Sequence, residues 1–201
     1  MHPFFIGIKK YPDLEKSCRT DLINLPTAFV GKEKIKAILL GADPTNDGIK
    51  TNKGLKQLTT VFGISSDFET AFFTPQFVNL KAIDLKKDEL FIQNLCRNYF
   101  TDQTSKNHNW GKIAKIWLPF LAEELSVFDS KIPVLVSAEK IMKVLIPDLP
   151  KAEDVYNLKH KLPFFSKDLK RNVFPLYRQP TYYLSKNWPE YREYLKQAIN
   201  E

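Results

Sequence analysis

Three polar side chains stand just beyond apolar runs. Asp43 follows Ile38-Leu39-Leu40-Gly41-Ala42, Asn94 follows Leu90-Phe91-Ile92-Gln93, and Gln179-Pro180-Thr181 follows the stretch from Asn172 to Tyr177. In open α/β sheets ligands bind beyond the carboxyl ends of the strands, so a carboxylate placed there can act on a substrate. Gly41 lets the backbone turn, and Pro44 cannot donate a ladder hydrogen bond, so strand pairing ends at that point. The plainer alternative is that Asp43-Pro44 only turns the chain or caps a helix. If the strands are parallel, all three polar groups emerge at one edge of the sheet.

The elements that would position them are legible as apolar patterns. Ala37 to Leu40 reads as a short buried strand, within a first strand of roughly Lys36 to Gly41, and Leu90 to Leu95 reads as a second. Ile132 to Val136 is a third, and the last lies near Asn172 to Tyr177. Ile113, Ile116, Trp117, Phe120, Leu121 and Leu125 share one side of a helix over Gly111 to Leu125. Ser137 is placed to cap a helix running to about Leu145, with Glu139 near its positive end. Trp188-Pro189 opens a final helix with Tyr191, Tyr194, Leu195 and Ile199 inward. Phe68 to Leu80 has partial helical spacing, with Pro75 inside it, and Pro12 to Gly31 reads as a short helix and loop. Strands alternating with helices predict an α/β fold: a three-layer α/β/α sandwich with a central four-stranded parallel sheet. The 201 residues are expected to form a single domain, with residues 1–33 as an N-terminal helix/loop extension packed on it.

Composition bounds the function. The net charge of +7 and pI of about 9.2 favour polyanionic partners without proving one. With only Cys18 and Cys96, a four-cysteine zinc or iron–sulfur site is excluded and a reducing cytoplasm is expected. Met1 to Ile8 is too short an apolar patch for a signal peptide, and no apolar run approaches a membrane span, so no membrane partner is expected. His2, His108 and His160 show no metal spacing, so no metal is expected.

Taken in order, Gly41-Ala42-Asp43-Pro44, Gln93-Asn94-Leu95-Cys96-Arg97 and Arg178-Gln179-Pro180-Thr181 resemble the motifs of the uracil-DNA glycosylase superfamily, over roughly residues 34 to 200. The resemblance is to a bacterial branch without iron–sulfur cysteines. It implies a monomeric, monofunctional DNA glycosylase that hydrolyses the N-glycosidic bond of uracil or another deaminated base, in base-excision repair of single- or double-stranded DNA, with water and no cofactor. Cleaving that bond leaves cationic character on the sugar and negative charge on the base. A carboxylate stabilises the cation and positions water, which is the role implied for Asp43. A side-chain amide donates to one uracil edge atom and accepts from another, the role implied for Asn94. Ala42 falls in the base-binding motif. Phe62 is the candidate stacking face for a flipped base, with Phe72 and Phe73 as alternatives.

The third motif departs from the superfamily pattern. Its best-known members carry His where this chain has Gln179, which donates an N–H but has no titratable proton. Losing one oxyanion donor costs about 3 kcal/mol, roughly a hundredfold in rate. The tyrosine that excludes thymine in the best-known branch is also missing, with Thr45 in its region. Tyr183 or Leu184 is the candidate wedge that fills the space of a flipped base, or else packs under Trp188. Arg178, Lys186, Arg97 and Thr181 are candidate DNA contacts. His108 reads as loop or helix-cap chemistry, and Cys96 as packed rather than nucleophilic.

Two further readings stay open at this level. In one, the pocket holds a nucleobase or a damaged DNA site without cutting it. In the other, the chain acts on a small phosphorylated or nucleotide substrate, although Gly41 to Gly48 has the wrong spacing for a phosphate loop or a dinucleotide fingerprint.

Overall fold

A computed structural model describes residues 1–45, 57–64, 73–177 and 187–200. The strands are β1 (Phe29–Val30), β2 (Ala37–Gly41), β3 (Leu90–Asn94), β4 (Val134–Val136), β5 (Phe164–Ser166) and β6 (Arg171–Pro175). The helices are α1 (Pro3–Gly7), α2 (Pro12–Glu15), α3 (Phe73–Ala82), α4 (Trp110–Leu125), α5 (Glu139–Leu145), α6 (Ala152–Tyr156) and α7 (Trp188–Asn200). All six strands form one mixed sheet in the order β1-β3-β2-β4-β6-β5. The four-stranded expectation is therefore corrected to six. β2 pairs parallel with β3 and β4, and β4 with β6, while β1 and β5 add on antiparallel at the two edges.

β2, β3 and β4 are buried at every position, which is why they appear as unbroken apolar runs. The edge strands have only two and three residues and leave Val30 and Phe165 exposed. Short edges offer little to an adventitious pairing chain. One apolar core runs from Phe4 through the sheet to Tyr191 and Leu195. The N-terminal segment joins it through α1, whose five residues are too few to show a helical period: Phe4 stacks on Trp117 of α4 at 4.4 Å. His2 caps α1 through Nδ1 and also packs against Trp117. Among the described residues no helix is long and apolar enough to cross a membrane.

The register sets the working edge. Gly41 lies opposite Asn94, Leu40 opposite Val136, and Val136 opposite Pro175. The carboxyl ends of β2, β3, β4 and β6 therefore form one rim. Ser137 does not cap α5 as expected. Ala138 is the N-cap residue, and Ser137 Oγ donates to the Leu40 carbonyl at 2.8 Å, tying the end of β4 to β2.

Arg171 secures the opposite edge. Its buried guanidinium donates to the carbonyls of Leu125, Phe128, Asp129 and Ile132, around the C-terminal end of α4. A cation there also complements the helix dipole. Arg171→Met is expected to lower unfolding free energy by about 2–3 kcal/mol, read from urea denaturation, because the buried Leu125 carbonyl and three part-buried carbonyls lose their donor. Arg171→Lys is expected to recover only part of the loss, since an ammonium lacks the planar fork.

Candidate functional site

The rim opens at Gly41. The ladder continues one step past the strands, with Leu95 N donating to the Gly41 carbonyl at 2.8 Å and Cys96 N to the Ala42 carbonyl at 2.9 Å. Ala42 thus contributes backbone to the rim, and the chain turns at Asp43. Thr45 N donates to Asp43 Oδ1 at 2.9 Å, so the turn expected of Asp-Pro is present. Asp43 Oδ2 serves another purpose. It accepts from Thr104 Oγ1 at 2.7 Å and from Trp110 Nε1 at 2.9 Å. Burial raises the Asp43 pKa above the ordinary carboxylate value, and the donors Thr45, Thr104 and Trp110 oppose that rise.

A second tier braces these donors. Lys140 Nζ donates to the carbonyls of Thr104 and Asn107 and lies 5.2 Å from the centroid of the Trp110 ring. Thr45 Oγ1 accepts from Phe100 N at 3.0 Å. Thr104, Trp110 and Lys140 were absent from the sequence-level site. A Trp at a helix start needs an acceptor for its N–H, and a Lys in the first turn of α5 opposes the helix dipole, but neither feature names its partner along the chain, and Thr104 carries no signal of its own.

Asn94 sits on the other side of Gly41. Its side chain is buried, and among the described residues Oδ1 has no hydrogen-bond partner. Its position is fixed by its neighbour. Gln93 Oε1 accepts from Asn94 N at 2.9 Å, while Gln93 Nε2 reaches both Glu124 oxygens at 3.2 Å. Phe62 meets Asn94 at the same glycine: a Cβ on Gly41 would overlap Asn94 Oδ1 and the ring edge of Phe62. Only glycine leaves room for an aromatic edge and an amide oxygen together. Phe62 is held with φ at 54°, a left-handed conformation that is uncommon for a bulky residue and costs about 1–3 kcal/mol. The backbone accepts that strain in the turn that brings the ring to Gly41.

The last strand leads to the same rim. Tyr191 Oη donates to the Pro175 carbonyl at 2.7 Å, and Tyr177 N donates to Tyr156 Oη at 2.7 Å. Tyr156 and Tyr191 stack at 4.3 Å. The segment expected to carry the third motif therefore departs from a pinned end. Arg178, Gln179, Thr181, Tyr183, Leu184 and Lys186 lie outside the described residues, as do Phe72 and the side chain of Phe73.

Arg97 does not extend freely from the rim. Nη1 lies 3.7 Å from Glu124 Oε2, and the side chain is largely covered. Cys96 is buried, and burial pushes its thiol well above the ordinary range, as a packed rather than nucleophilic cysteine requires. His108 and His160 are exposed. Among the described residues no three His, Cys, Asp or Glu side chains gather into a metal-binding group. No family model matches the chain, and no curated protein matches it significantly.

Proposed function

We propose that the chain is a DNA glycosylase of the uracil-DNA glycosylase kind, hydrolysing the N-glycosidic bond of uracil or another deaminated base. The observation that carries the reading is Asn94 Oδ1: a buried amide oxygen without a described partner, against the edge of an aromatic ring, one glycine away from the Asp43 loop. A uracil edge supplies the N–H that this oxygen lacks. Cytosine presents a lone pair at the same ring position and is disfavoured. In this reading the base stacks on Phe62, whose ring edge lies at Gly41, and Asp43, ionised, faces the sugar and positions water. The reading includes a three-layer α/β/α sandwich built on the parallel strands β3, β2, β4 and β6. It also includes action on DNA in base-excision repair, as a cytoplasmic monomer. Gln179 then donates to the base oxygen that gains charge.

A pH dependence follows. Asp43 works as a carboxylate and burial raises its pKa. The rate should therefore fall on acidification at a pH above the ordinary value of about 3.9. A kcat/KM profile checks this, and a limb at or below the ordinary value would contradict it. The stability effect has the opposite sense to that of a salt-bridged aspartate. A raised folded pKa makes this group unfavourable to folding above its unfolded pKa, and the penalty is relieved as pH falls through the raised one.

A second reading is a binding module that holds a base or damaged site without cutting. It is favoured by the saturation of Asp43: Oδ2 accepts from Thr104 and Trp110, Oδ1 accepts from Thr45 N, and the Thr45 side chain adds a further hydrogen bond to the carboxylate. Uracil-containing single- and double-stranded oligonucleotides separate the two. Alkali-labile sites after incubation support hydrolysis; retained, salt-sensitive binding without such sites supports the module.

A further inference from the structure

We propose that the lysine-lined groove between α4 and α5 binds the phosphates of the nucleic-acid strand whose base enters the rim pocket; this rests on the DNA reading above. The groove, about 340 Å³, is lined by His108, Lys112 and Lys115 on the α4 side and by Lys140 and Lys143 on α5. It begins at the candidate site itself. Lys140 holds the carbonyl of Thr104, whose hydroxyl bonds Asp43, and Trp110 of the same cluster is the first residue of α4.

The charges divide into anchored and available ones. Lys140 is committed to two carbonyls and to the Trp110 face. Lys143 pairs with Glu139 at 2.7 Å but remains well exposed. Lys112 and Lys115 are exposed, and among the described residues neither forms an ion pair. Spaced three apart, they fall on one side of α4. The groove continues past Lys115 and Val144 into a second stretch of about 530 Å³, lined by Leu118, Pro119 and Ala122 and bounded by Asp168. The track of positive charge ends there, since an acid repels phosphate. Charge complementarity thus selects a polyanion for the part next to Asp43, and mobile lysine ammoniums suit a backbone read without sequence preference.

The test uses undamaged oligonucleotides, so that it reads binding without base release. The affinity of the full chain for a single strand and for a duplex is measured over a salt series. The wild type is compared with Lys112→Gln/Lys115→Gln/Lys143→Gln. A second triple, Lys32→Gln/Lys34→Gln/Lys131→Gln, removes the same charge from exposed positions that precede the amino ends of β2 and β4, at the opposite rim. All three proteins should share one melting temperature. The groove triple is expected to lower the slope of log K against log salt by roughly 2 to 3, with the opposite-rim triple close to wild type. Equal losses in both triples would show only a net-charge effect and would overturn the assignment. An unchanged slope in the groove triple, or no nucleic-acid binding at low salt, would do the same. Set beside base release from the uracil-containing oligonucleotides, release with an unchanged slope defeats the groove alone. A slope loss confined to the groove triple, with no base release from any substrate, keeps the groove and defeats the glycosylase reading.

Discussion

Asp43→Asn is expected to slow base release by about 10² to 10⁴-fold, while global stability stays within about 1 kcal/mol of wild type. Two opposing effects make the stability change small. The neutral amide no longer carries the burial penalty that raises the Asp43 pKa. It also keeps only one carbonyl oxygen for the three donors Thr45 N, Thr104 Oγ1 and Trp110 Nε1. The Thr104 hydroxyl can rotate to accept from the new NH₂, but the other two donors cannot, so one of them loses its bond. Asp43→Ala is the harsher variant, because Trp110 and Thr104 both lose their acceptor at a cost of about 1–3 kcal/mol. Single-turnover rates together with melting curves separate a chemical role from a structural one. A full rate in Asp43→Asn would remove the carboxylate from the mechanism.

Asn94→Leu should separate function from stability in the other direction. Base release is expected to fall by about 10² to 10³-fold, the scale of losing a fixed hydrogen-bonding partner in a desolvated site. Folding stability is expected to hold or rise. Asn94 Oδ1 is buried and has no described partner, so an apolar side chain of similar size removes an unsatisfied acceptor. A residue kept for packing would show the reverse: lower stability and an unchanged rate. Thermal melting and single-turnover cleavage on the same preparation give both numbers.

The strands that build the rim were readable because they are buried on both faces. Ala37–Gly41, Leu90–Asn94 and Val134–Val136 stand out as apolar runs ended by Gly41, Asn94 and Ser137. α4 showed itself by its apolar spacing, and α7 by Pro189 in its first turn. β1 and β5 were not readable, since Phe29–Val30 and Phe164–Ser166 are too short to show a period and their pairing comes from the strand beside them. Ser137 misled for a related reason: a capping residue type was present, but the Leu40 carbonyl, 97 residues away, is its partner.

The same limit governs the site. Asp43 and Asn94 stand out as polar residues past apolar runs, whereas Phe62 was a candidate only through the resemblance; the register brings Gly41 opposite Asn94, and the Phe62 ring lies on that glycine. What holds the Asp43 carboxylate could not be proposed, because Thr104 and Trp110 are 61 and 67 residues distant. Contacts of that kind are set by how α4 lies against the sheet rather than by any spacing along the chain. Arg97, read from the sequence as a phosphate contact or a cap on the rim, has Glu124 of α4 3.7 Å away, a neighbour that no local pattern announces.

The most direct test of the account is the release of free base from one uracil-containing oligonucleotide under single-turnover conditions, by wild type and Asp43→Asn side by side. The wild type is expected to release uracil and leave an abasic strand, and an Asp43→Asn protein that melts like it is expected to do so more slowly by about 10² to 10⁴-fold. Equal rates from the two proteins, or no free uracil from the wild type, would contradict the account.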